Sequence, residues 1–527
     1  MRWDATGRTG VALAVLALLA RLIVPAVPVN WYFTIANLPW TGRIFTQSTA
    51  YLPLPMRLIA FDLSFGFDGL VGLNLITGIA CVLMAWHAAR RSGYGENLSL
   101  VLGLLVAVTP MYVRLSVSDS THLIPLALWL SSALAFAAVR DGERGIVLQC
   151  VLFSATALGC LFRAEAALLM PAVPLFVGVN PQGWKALWLC RRRFVGYALG
   201  LGFGMVLLFS FHSGNINAFL HGRGIVGLSA FTMYGLYLPL MVQHLLLPAV
   251  PALDLFLPSV VLLPIWYWTA YSLRRKAWTD LATVFGPMAI FSFPPVLSMH
   301  AGITNLPSTG YFTIYVLLLF LACGKGCLLL YGRFLDGRVL ASSWKRVVAA
   351  ALAAPLLTYS FFVTYRMNYG YQEEFRFLRK SLPTEPAKVL TVWDPTQYYG
   401  DYDCCLAMPY PTMLVDFPQL EWTVLSEAAY ASGEWRNLRF DYYFPGSMSA
   451  IDINNFSRPR SLVRTGAIEN DVDVERVRTV QRMDQAIRSE YALEPVAHAD
   501  VRVATFSHYD FPHGRLELTL YRRRADG

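Results

Sequence analysis

A cluster of polar residues interrupts an apolar stretch early in the chain. In MYVRLSVSDSTHLIPLALW, Arg114, Asp119 and His122 occur together with Ser118 and Ser120. A carboxylate such as Asp119 acts as a general base when its neighbours adjust its pKa, and an arginine and a histidine beside it can bind a phosphate group. The pattern has a structural alternative, because the run from Ser118 to Ser120 also fits the cap of the following helix. We take Asp119 as the candidate catalytic residue.

Two further groups of ionisable residues border apolar runs. Arg163 and Glu165 lie in LFRAEAALLMPAVPLF, and His212, His221 and Arg223 lie in SFHSGNINAFLHGRG. An ionisable side chain at membrane depth is costly and marks a functional position by default. The alternatives are an Arg163–Glu165 pair that only neutralises itself and solvated loop histidines. The candidate substrate-binding residues of all three groups are Arg114, His122, Arg163, Glu165, His221 and Arg223.

Two basic residues occur singly in apolar runs. Arg21 lies in the first run of the chain, and Lys325 lies in LACGKGCLLL. A long cationic side chain can keep its stem in the membrane while its charge reaches the aqueous interface. We predict this arrangement for both residues, outside any site.

Signatures of familiar soluble enzymes are absent from the sequence. It contains no GxGxxG, P-loop, HExxH or GxSxG motif, so the chemistry of those enzymes gains no support. Cys323 and Cys327 lie in an apolar run without a histidine or acid partner, which disfavours a metal site there. No cofactor is certain, and a divalent metal stays open, because one acid alone binds a metal poorly.

The composition indicates a membrane protein. Of the 527 residues, 56% are hydrophobic and only 15% are charged, against about 25% charged in soluble domains. Residues 1–365 hold 24 Lys and Arg and 11 Asp and Glu, and residues 366–527 hold 19 and 23, so the net charge of +9 divides into +13 and −4. Cytoplasmic loops rich in Lys and Arg explain a basic membrane part, and we therefore expect no nucleic-acid partner.

Eleven apolar runs of near membrane length are predicted to span the membrane. They lie at 11–29, 69–88, 98–115, 122–139, 145–162, 166–180, 195–212, 252–272, 278–298, 311–331 and 346–364. The first run favours an anchor over a cleaved signal peptide. The segment 225–248 is also apolar enough to cross, but counting it would turn the basic residues 274–276 outward, so we interpret it as an interfacial or re-entrant helix. The amino terminus is then cytoplasmic and the carboxyl terminus extracytoplasmic.

The chain after residue 365 changes to an alternating α/β pattern. GYQEEFRFLRKSLP and DVERVRTVQRMDQAIRSEYA predict helices, and AKVLTVWDP predicts a buried strand. VRVATFSHYDF and RLELTLYRRR predict antiparallel strands around a turn at 512–514. The predicted architecture is an α-helical polytopic membrane bundle at 1–365 with an extracytoplasmic, periplasmic α/β domain at 366–527.

Four stretches in the first third of the chain follow one another in a familiar order. They are YLPLPMRL at 51–58, AWHAARRSGYG at 85–95, TPMYVRLSVSDS at 109–120 and FRAEAALLMP at 162–171. This layout resembles bacterial GT-C glycosyltransferases, the group that uses dolichyl- or polyprenyl-phosphate sugars and includes protein mannosyltransferase-like enzymes. The resemblance covers residues 10–180, and beyond them only the topology.

Two positions depart from the family pattern. The first outer loop, in which the family usually carries its catalytic acid, has no Asp or Glu before Asp62 and Asp68. The family's late Arg-Tyr, which helps to hold the donor phosphate, is Gly310-Tyr311 here. Either Asp119 takes the role of the base, or catalysis is altered or lost.

The resemblance implies a multi-pass glycosyltransferase of the plasma (inner) membrane. It would transfer a sugar from a polyprenyl-phosphate donor held in the membrane lipid to an extracytoplasmic acceptor, which is a cell-envelope glycan, lipid or protein. One alternative is a catalytically degenerate GT-C-like protein that anchors a domain binding a cell-envelope partner. A lipid-linked sugar transporter is a further alternative, disfavoured because the ionisable residues cluster at one membrane face.

Overall fold

The computed structural model of the chain describes residues 5–24, 26, 65–118, 122–162, 164–178, 181–221, 257–291, 313–334, 370–392, 417–446, 449, 471–502 and 515–524. The predicted span at 346–364, the segment 225–248 and the domain boundary at 365/366 lie outside these residues. The described part consists of a helical region up to residue 334 and an α/β region from residue 370.

Thirteen labelled helices make up the described helical region. They are α1 (Ala5–Leu22), α2 (Gly66–Arg91), α3 (Glu96–Val108), α4 (Pro110–Ser116), α5 (Leu123–Arg140), α6 (Ile146–Phe162), α7 (Ala164–Leu169), α8 (Val173–Val177), α9 (Pro181–Leu189), α10 (Val195–His221), α11 (Leu257–Arg274), α12 (Trp278–Phe291) and α13 (Thr313–Phe334). Short 3₁₀ turns at Met170–Ala172 and Arg191–Arg193 join them. One apolar core runs through the bundle, with Trp129 and Trp268 among its largest buried side chains.

Several of the described helices fit a membrane span. Gly66–Arg91, Leu123–Arg140 and Val316–Arg333 are long and apolar enough to cross a bilayer. Shorter apolar helices occupy Glu96–Val108, Ile146–Leu161 and Val195–Leu208. The count of eleven spans therefore stays a prediction.

Two predicted spans are interrupted in the structure, and proline is the physical reason in both. The run 98–115 ends at Val108 and resumes at Pro110, because proline has no N–H for the helix ladder and holds Thr109 in an extended conformation with ψ of 131°. The run 166–180 is divided around the turn that contains Pro171.

Basic residues meet at one end of the bundle. Arg140 donates from Nη1 to the Val177 carbonyl over 2.7 Å and from Nη2 to the Arg91 carbonyl. Arg333, near the end of α13, donates to the Tyr267 hydroxyl over 3.0 Å. We call this end of the helices the basic end, and the other the opposite end. The positive-inside rule predicts that the basic end faces the cytoplasm.

Helices α6 and α10 pack with their backbones in close contact. Gly196, Gly200 and Gly204 follow one another at every fourth position, and a Cβ on any of them would come within 2.7 Å of a carbonyl oxygen of α6. The facing carbonyls belong to Gln149, Phe153 and Ala157. Such small-residue stripes are typical of helix contacts inside membranes. The contact also shows that α6 and α10 run in the same direction.

The α/β region contains a five-stranded sheet in the order β2-β1-β3-β5-β4. Its elements are α14 (Gly370–Ser381), β1 (Ala387–Val392), β2 (Leu420–Leu425), α15 (Glu427–Ala431), β3 (Tyr442–Phe444), α16 (Asp471–Glu490), β4 (Leu493–Arg502) and β5 (Arg515–Arg523). Strands β2, β1 and β3 are parallel, and β5 is antiparallel to β3 and β4. The predicted helices and the predicted strand β1 are confirmed. The strand paired with β5 begins at Leu493, eight residues before the predicted start at Val501. Val501 and Arg502 pair antiparallel with Leu516 and Arg515, and residues 503–511 of the predicted strand lie outside the described residues.

A buried polar cluster joins helix α16 to the middle of this sheet. The Tyr443 hydroxyl donates to Asp484 Oδ1 over 2.8 Å, and Arg488 binds both oxygens of the same carboxylate. Burial, and then the nearby Asp484 carboxylate, hold the pKa of Tyr443 well above its ordinary value of 10.0. The hydroxyl therefore stays a hydrogen-bond donor in the folded state.

The α/β region packs directly on the first turns of α2. Phe67 is 1% exposed and belongs to the core of that region, together with Phe377 and Leu378. One residue farther along α2, Asp68 accepts two hydrogen bonds from Arg379, at 2.8 and 3.2 Å. Since Arg91 ends the same helix at the basic end, the α/β region lies at the opposite end of the bundle.

Candidate functional site at the opposite end

Helix α3 is too short to cross a membrane. It begins at Glu96, which pairs with Arg90 at the basic end, and it ends at Val108 after 13 residues. This length corresponds to about 20 Å, against a hydrocarbon thickness of about 30 Å. Thr109 then breaks the helix at membrane depth, and the chain continues as the short helix α4. A break of this kind at membrane depth persists only where it is buried in protein or lines a water-filled cavity.

The segment after α3 is buried and polar. We call residues 109–118, which include the short helix α4, together with His122 the site loop. Ser116 and Ser118 are fully buried, and His122 is 1% exposed. Burying polar groups is costly unless they are hydrogen-bonded, and the hydroxyls of Ser116 and Ser118 donate to the carbonyls of Tyr112 and Leu115 over 2.6 and 2.9 Å.

Hydrogen bonds from two distant helices fix the site loop. Asn74 of α2 donates from Nδ2 to the Ser118 carbonyl over 2.7 Å. The Tyr112 hydroxyl donates to the carbonyl of Thr313, the first residue of α13, over 2.6 Å, and the Thr313 hydroxyl donates to the His122 carbonyl over 3.3 Å. The two sides of the loop are thus held against α2 and α13.

Arg21 lies beneath the site loop and was missed as a site residue. Its side chain is 1% exposed, so the prediction that it extends to the membrane interface is wrong. It donates from Nη1 to the carbonyl of Ala107 over 3.0 Å. Ala107 lies in the last turn of α3, where helix carbonyls lack donors within the helix. Gly78 of α2 makes room, because a Cβ there would lie 3.1 Å from Arg21 Nε.

The structure does not contradict the same prediction for Lys325, which lies near the basic end. Its side chain is 14% exposed and pairs with Asp280 across 3.4 Å. Its ammonium also lies over the rings of Tyr94 and Trp268, at 5.3 and 5.5 Å. This group joins four chain segments near the basic end and is separate from the site loop.

Glu165, of the second candidate group, lies on the backbone near the depth of His122. The Trp129 indole of α5 donates to the Leu169 carbonyl of α7 over 2.9 Å. Trp129 follows His122 by seven residues and Leu169 follows Ala164, the first residue of α7, by five, which corresponds to about 10 and 8 Å along a helix. The starts of α7 and α5 are therefore nearly level on neighbouring segments, and Glu165 lies in the first turn of α7.

The third candidate group extends farther out. The facing pair of Gly204 and Ala157 places Phe162, the last residue of α6, level with position 209 of α10. His221 follows position 209 by twelve residues, which corresponds to roughly 18 Å. The backbone of α10 therefore does not bring His221 to the depth at which α6 ends.

His212 fits this depth better than the histidine that we selected from the sequence. It lies three residues beyond position 209, which corresponds to about 4.5 Å along α10. Only the packing of α10 on α6 reveals this, because both histidines occur in the same polar stretch of the sequence.

The remaining candidates are located less fully. Asp119, Arg163 and Arg223 lie outside the described residues, and Arg114 and Glu165 are located by backbone alone. Of the two acids that come next after the first outer loop, Asp68 binds Arg379 and Asp62 lies outside the described residues. Within the described part of the chain, no three His, Cys, Asp or Glu residues form a group that could hold a metal.

Comparison with known proteins adds matches among solved structures. No protein-family model and no curated protein matches the chain. ArnT from Cupriavidus metallidurans in the apo state is similar with 12% identity and a TM-score of 0.44, over 97% of both chains. The apo oligosaccharyltransferase of Archaeoglobus fulgidus is similar with 11% identity and a TM-score of 0.44, over 97% of this chain and 74% of the other.

A third match is the archaeal oligosaccharyltransferase AglB from Archaeoglobus fulgidus in complex with an inhibitory peptide and a dolichol-phosphate. Its identity is 10% and its TM-score 0.39, over 98% of this chain and 88% of the other. ArnT and the oligosaccharyltransferase are GT-C glycosyltransferases, the class that the sequence resembles. Since the TM-scores lie below 0.5, we base the function on the residues of this chain.

Proposed function

We propose that the protein is a membrane glycosyltransferase that takes a sugar from a polyprenyl-phosphate donor and passes it to an acceptor at the opposite end of the bundle. The observation that supports this most strongly is the site loop, a buried polar segment at membrane depth with a buried cation, Arg21, beneath it. A lipid-linked phosphate meets an aqueous acceptor only at such a boundary. Charged groups held there, away from water, stabilise a phosphate more strongly than exposed groups do.

The proposed reaction assigns one role to each kind of residue. Asp119 accepts the proton of an acceptor hydroxyl, whose oxygen then bonds to the anomeric carbon of the sugar. The bond between that carbon and the phosphate oxygen breaks, and the lipid phosphate leaves with the electron pair. Arg114, Arg163 and His122 stabilise the negative charge of the leaving phosphate. We extend substrate binding to Glu165, and to His221 and Arg223 for the part of the acceptor farthest from the membrane.

The two regions of the chain take different parts in this proposal. Residues 1–365 form the membrane domain that binds the donor, with a cytoplasmic amino terminus. Residues 366–527 form the extracytoplasmic domain. Phe67 and Val71 of α2 pack on this domain, and Asn74, less than two helical turns after Phe67, binds the site loop. We therefore infer that the α/β domain helps to bind the acceptor, a glycan, lipid or protein of the cell envelope.

Thermal unfolding with a lipid phosphate tests the donor class. The purified protein should be stabilised by a polyprenyl phosphate, by RT ln(1 + [L]/Kd), and not by the polyprenol of the same length. The polyprenol is the matched control, because it has the same apolar chain without the charge. Equal responses to both lipids, or none, would contradict a donor phosphate site.

The same measurement separates catalysis from anchoring at Arg163 and Glu165. Replacing both together with Met and Leu should leave the protein folded, because removing both partners of a buried pair is often harmless. If the protein is a glycosyltransferase, polyprenyl phosphate should raise the unfolding temperature of this double variant less than that of the unaltered protein. An equal response would remove Arg163 from the site and favour the alternative, in which the bundle only anchors the α/β domain.

A further inference from the structure

Arg21 carries a permanent positive charge inside the bundle. A guanidinium is not deprotonated in proteins, and a buried charge is costly unless an anion balances it. Its Nη1 atom donates to the carbonyls of Ala17 and Ala107, at 2.9 and 3.0 Å. Two carbonyl oxygens supply partial charge only, and no acid of the described residues pairs with Arg21.

The edge of the guanidinium that does not bind these carbonyls has the geometry that binds an anion. Nε and Nη2 of Arg21 are buried and have no acceptor among the described residues. These two nitrogens form one edge of the planar group, and their parallel N–H bonds match two oxygens of a phosphate or a carboxylate. The carbonyl bonds of Nη1 meanwhile hold the plane in place.

This edge adjoins the site loop. A Cβ on Gly78 would lie 3.1 Å from Arg21 Nε and would overlap the Ser116 hydroxyl. The guanidinium and Ser116 therefore meet over the bare backbone of Gly78. In sequence, Ser116 precedes the proposed base, Asp119, by three residues.

We propose that the Nε–Nη2 edge of Arg21 binds two oxygens of a phosphate group and is the innermost binding element of the site. The identity of that phosphate as the head of the lipid-linked donor rests on the proposed function. The binding chemistry itself applies equally to free phosphate, so the two sources need separate tests.

The main rival is an internal partner, the carboxylate of Asp119. A phosphate site and an internal pair make opposite predictions for stability. If Asp119 balances Arg21, removing either charge alone leaves the other buried and unpaired, which lowers the stability of the protein. The double variant, Arg21→Met with Asp119→Asn, should then recover much of the lost stability. If Arg21 binds a phosphate, the two replacements should act independently on stability without ligand.

The experiment compares full-length variants by ligand-dependent thermal shift. Arg21→Met removes the charge at similar length, and Arg8→Met is the matched control, because Arg8 is an exposed residue at the basic end of the same helix. The ligands are polyprenyl phosphate, polyprenol and inorganic phosphate. Arg21→Met should bind polyprenyl phosphate roughly 10- to 100-fold more weakly, and Arg8→Met should bind it unchanged.

Each outcome decides between the claims. Equal binding by Arg21→Met and the unaltered protein overturns the role of Arg21 and leaves the proposed function standing. An Arg21-dependent shift with inorganic phosphate but none with the lipid supports the anion site and overturns the lipid donor. Strong coupling with Asp119→Asn and no phosphate shift assigns Arg21 to the internal pair.

If Arg21→Met does not fold, the variant Arg21→Lys tests the proposal instead. Arg21→Lys retains the charge and a donor for the Ala107 carbonyl but loses the planar edge. Weaker binding of polyprenyl phosphate by this variant supports the proposal, and unchanged binding overturns it.

Discussion

Replacing Asp119 with asparagine should lower the rate of sugar transfer by about 10²- to 10⁴-fold, the usual contribution of a general base. The amide keeps the size of the side chain but cannot accept the proton of the acceptor hydroxyl. Binding of polyprenyl phosphate should change little, because the base acts on the acceptor. The measurement is transfer from polyprenyl-phosphate sugars by the purified protein, with donor binding followed in parallel.

Asp141→Asn is the matched control for this experiment. Asp141 follows α5 at the basic end and pairs with Arg140 across 2.8 Å. The same chemical change there should leave transfer within about twofold of the unaltered rate, as for surface substitutions that cost little stability. Full activity of Asp119→Asn would exclude Asp119 as the base and make Asp62 or Glu165 the next candidate.

Replacing Phe67 with alanine should destabilise the contact between α2 and the α/β region by about 3–5 kcal/mol, the usual cost of deleting a buried phenyl ring. Phe65 is the matched control, because it lies two residues earlier and is 62% exposed, whereas Phe67 is 1% exposed. Phe65→Ala should change the free energy of unfolding by less than about 0.5 kcal/mol. Denaturant unfolding of both variants measures the difference.

The contact at Phe67 also bears on function. If the α/β domain helps to bind the acceptor, Phe67→Ala should raise the KM for the acceptor more than it lowers donor binding. Equal stability of Phe67→Ala and Phe65→Ala would contradict the packing of the two regions at this residue.

Much of the secondary structure follows from local signals in the sequence. Pro110 alone indicates the break at Thr109, but the continuous apolar run led us to predict a single span over 98–115. Strand β4 is harder to place, because LEPVAHADVR contains charged residues and a proline and alternates poorly. Pairing with β5 fixes it in the sheet.

The site depends on contacts that the sequence does not display. The burial of Arg21 requires the end of α3 and the bare backbone of Gly78, which are distant in the chain. A single arginine in an apolar run is ordinarily expected at the interface, so only tertiary packing reverses that expectation. The depth of the start of α7 beside His122 likewise depends on the hydrogen bond between Trp129 and the Leu169 carbonyl.

The most direct test of a donor phosphate at the site loop is photochemical labelling. A polyprenyl phosphate with a diazirine next to the phosphate would be bound to the full-length protein, irradiated and mapped by mass spectrometry of the peptides. We expect adducts in 74–81 and 109–122 that polyprenyl phosphate suppresses and polyprenol does not. Adducts confined to the exposed apolar faces of α6 and α10, such as Val147 and Leu199, with no suppression by polyprenyl phosphate, would contradict the proposed site.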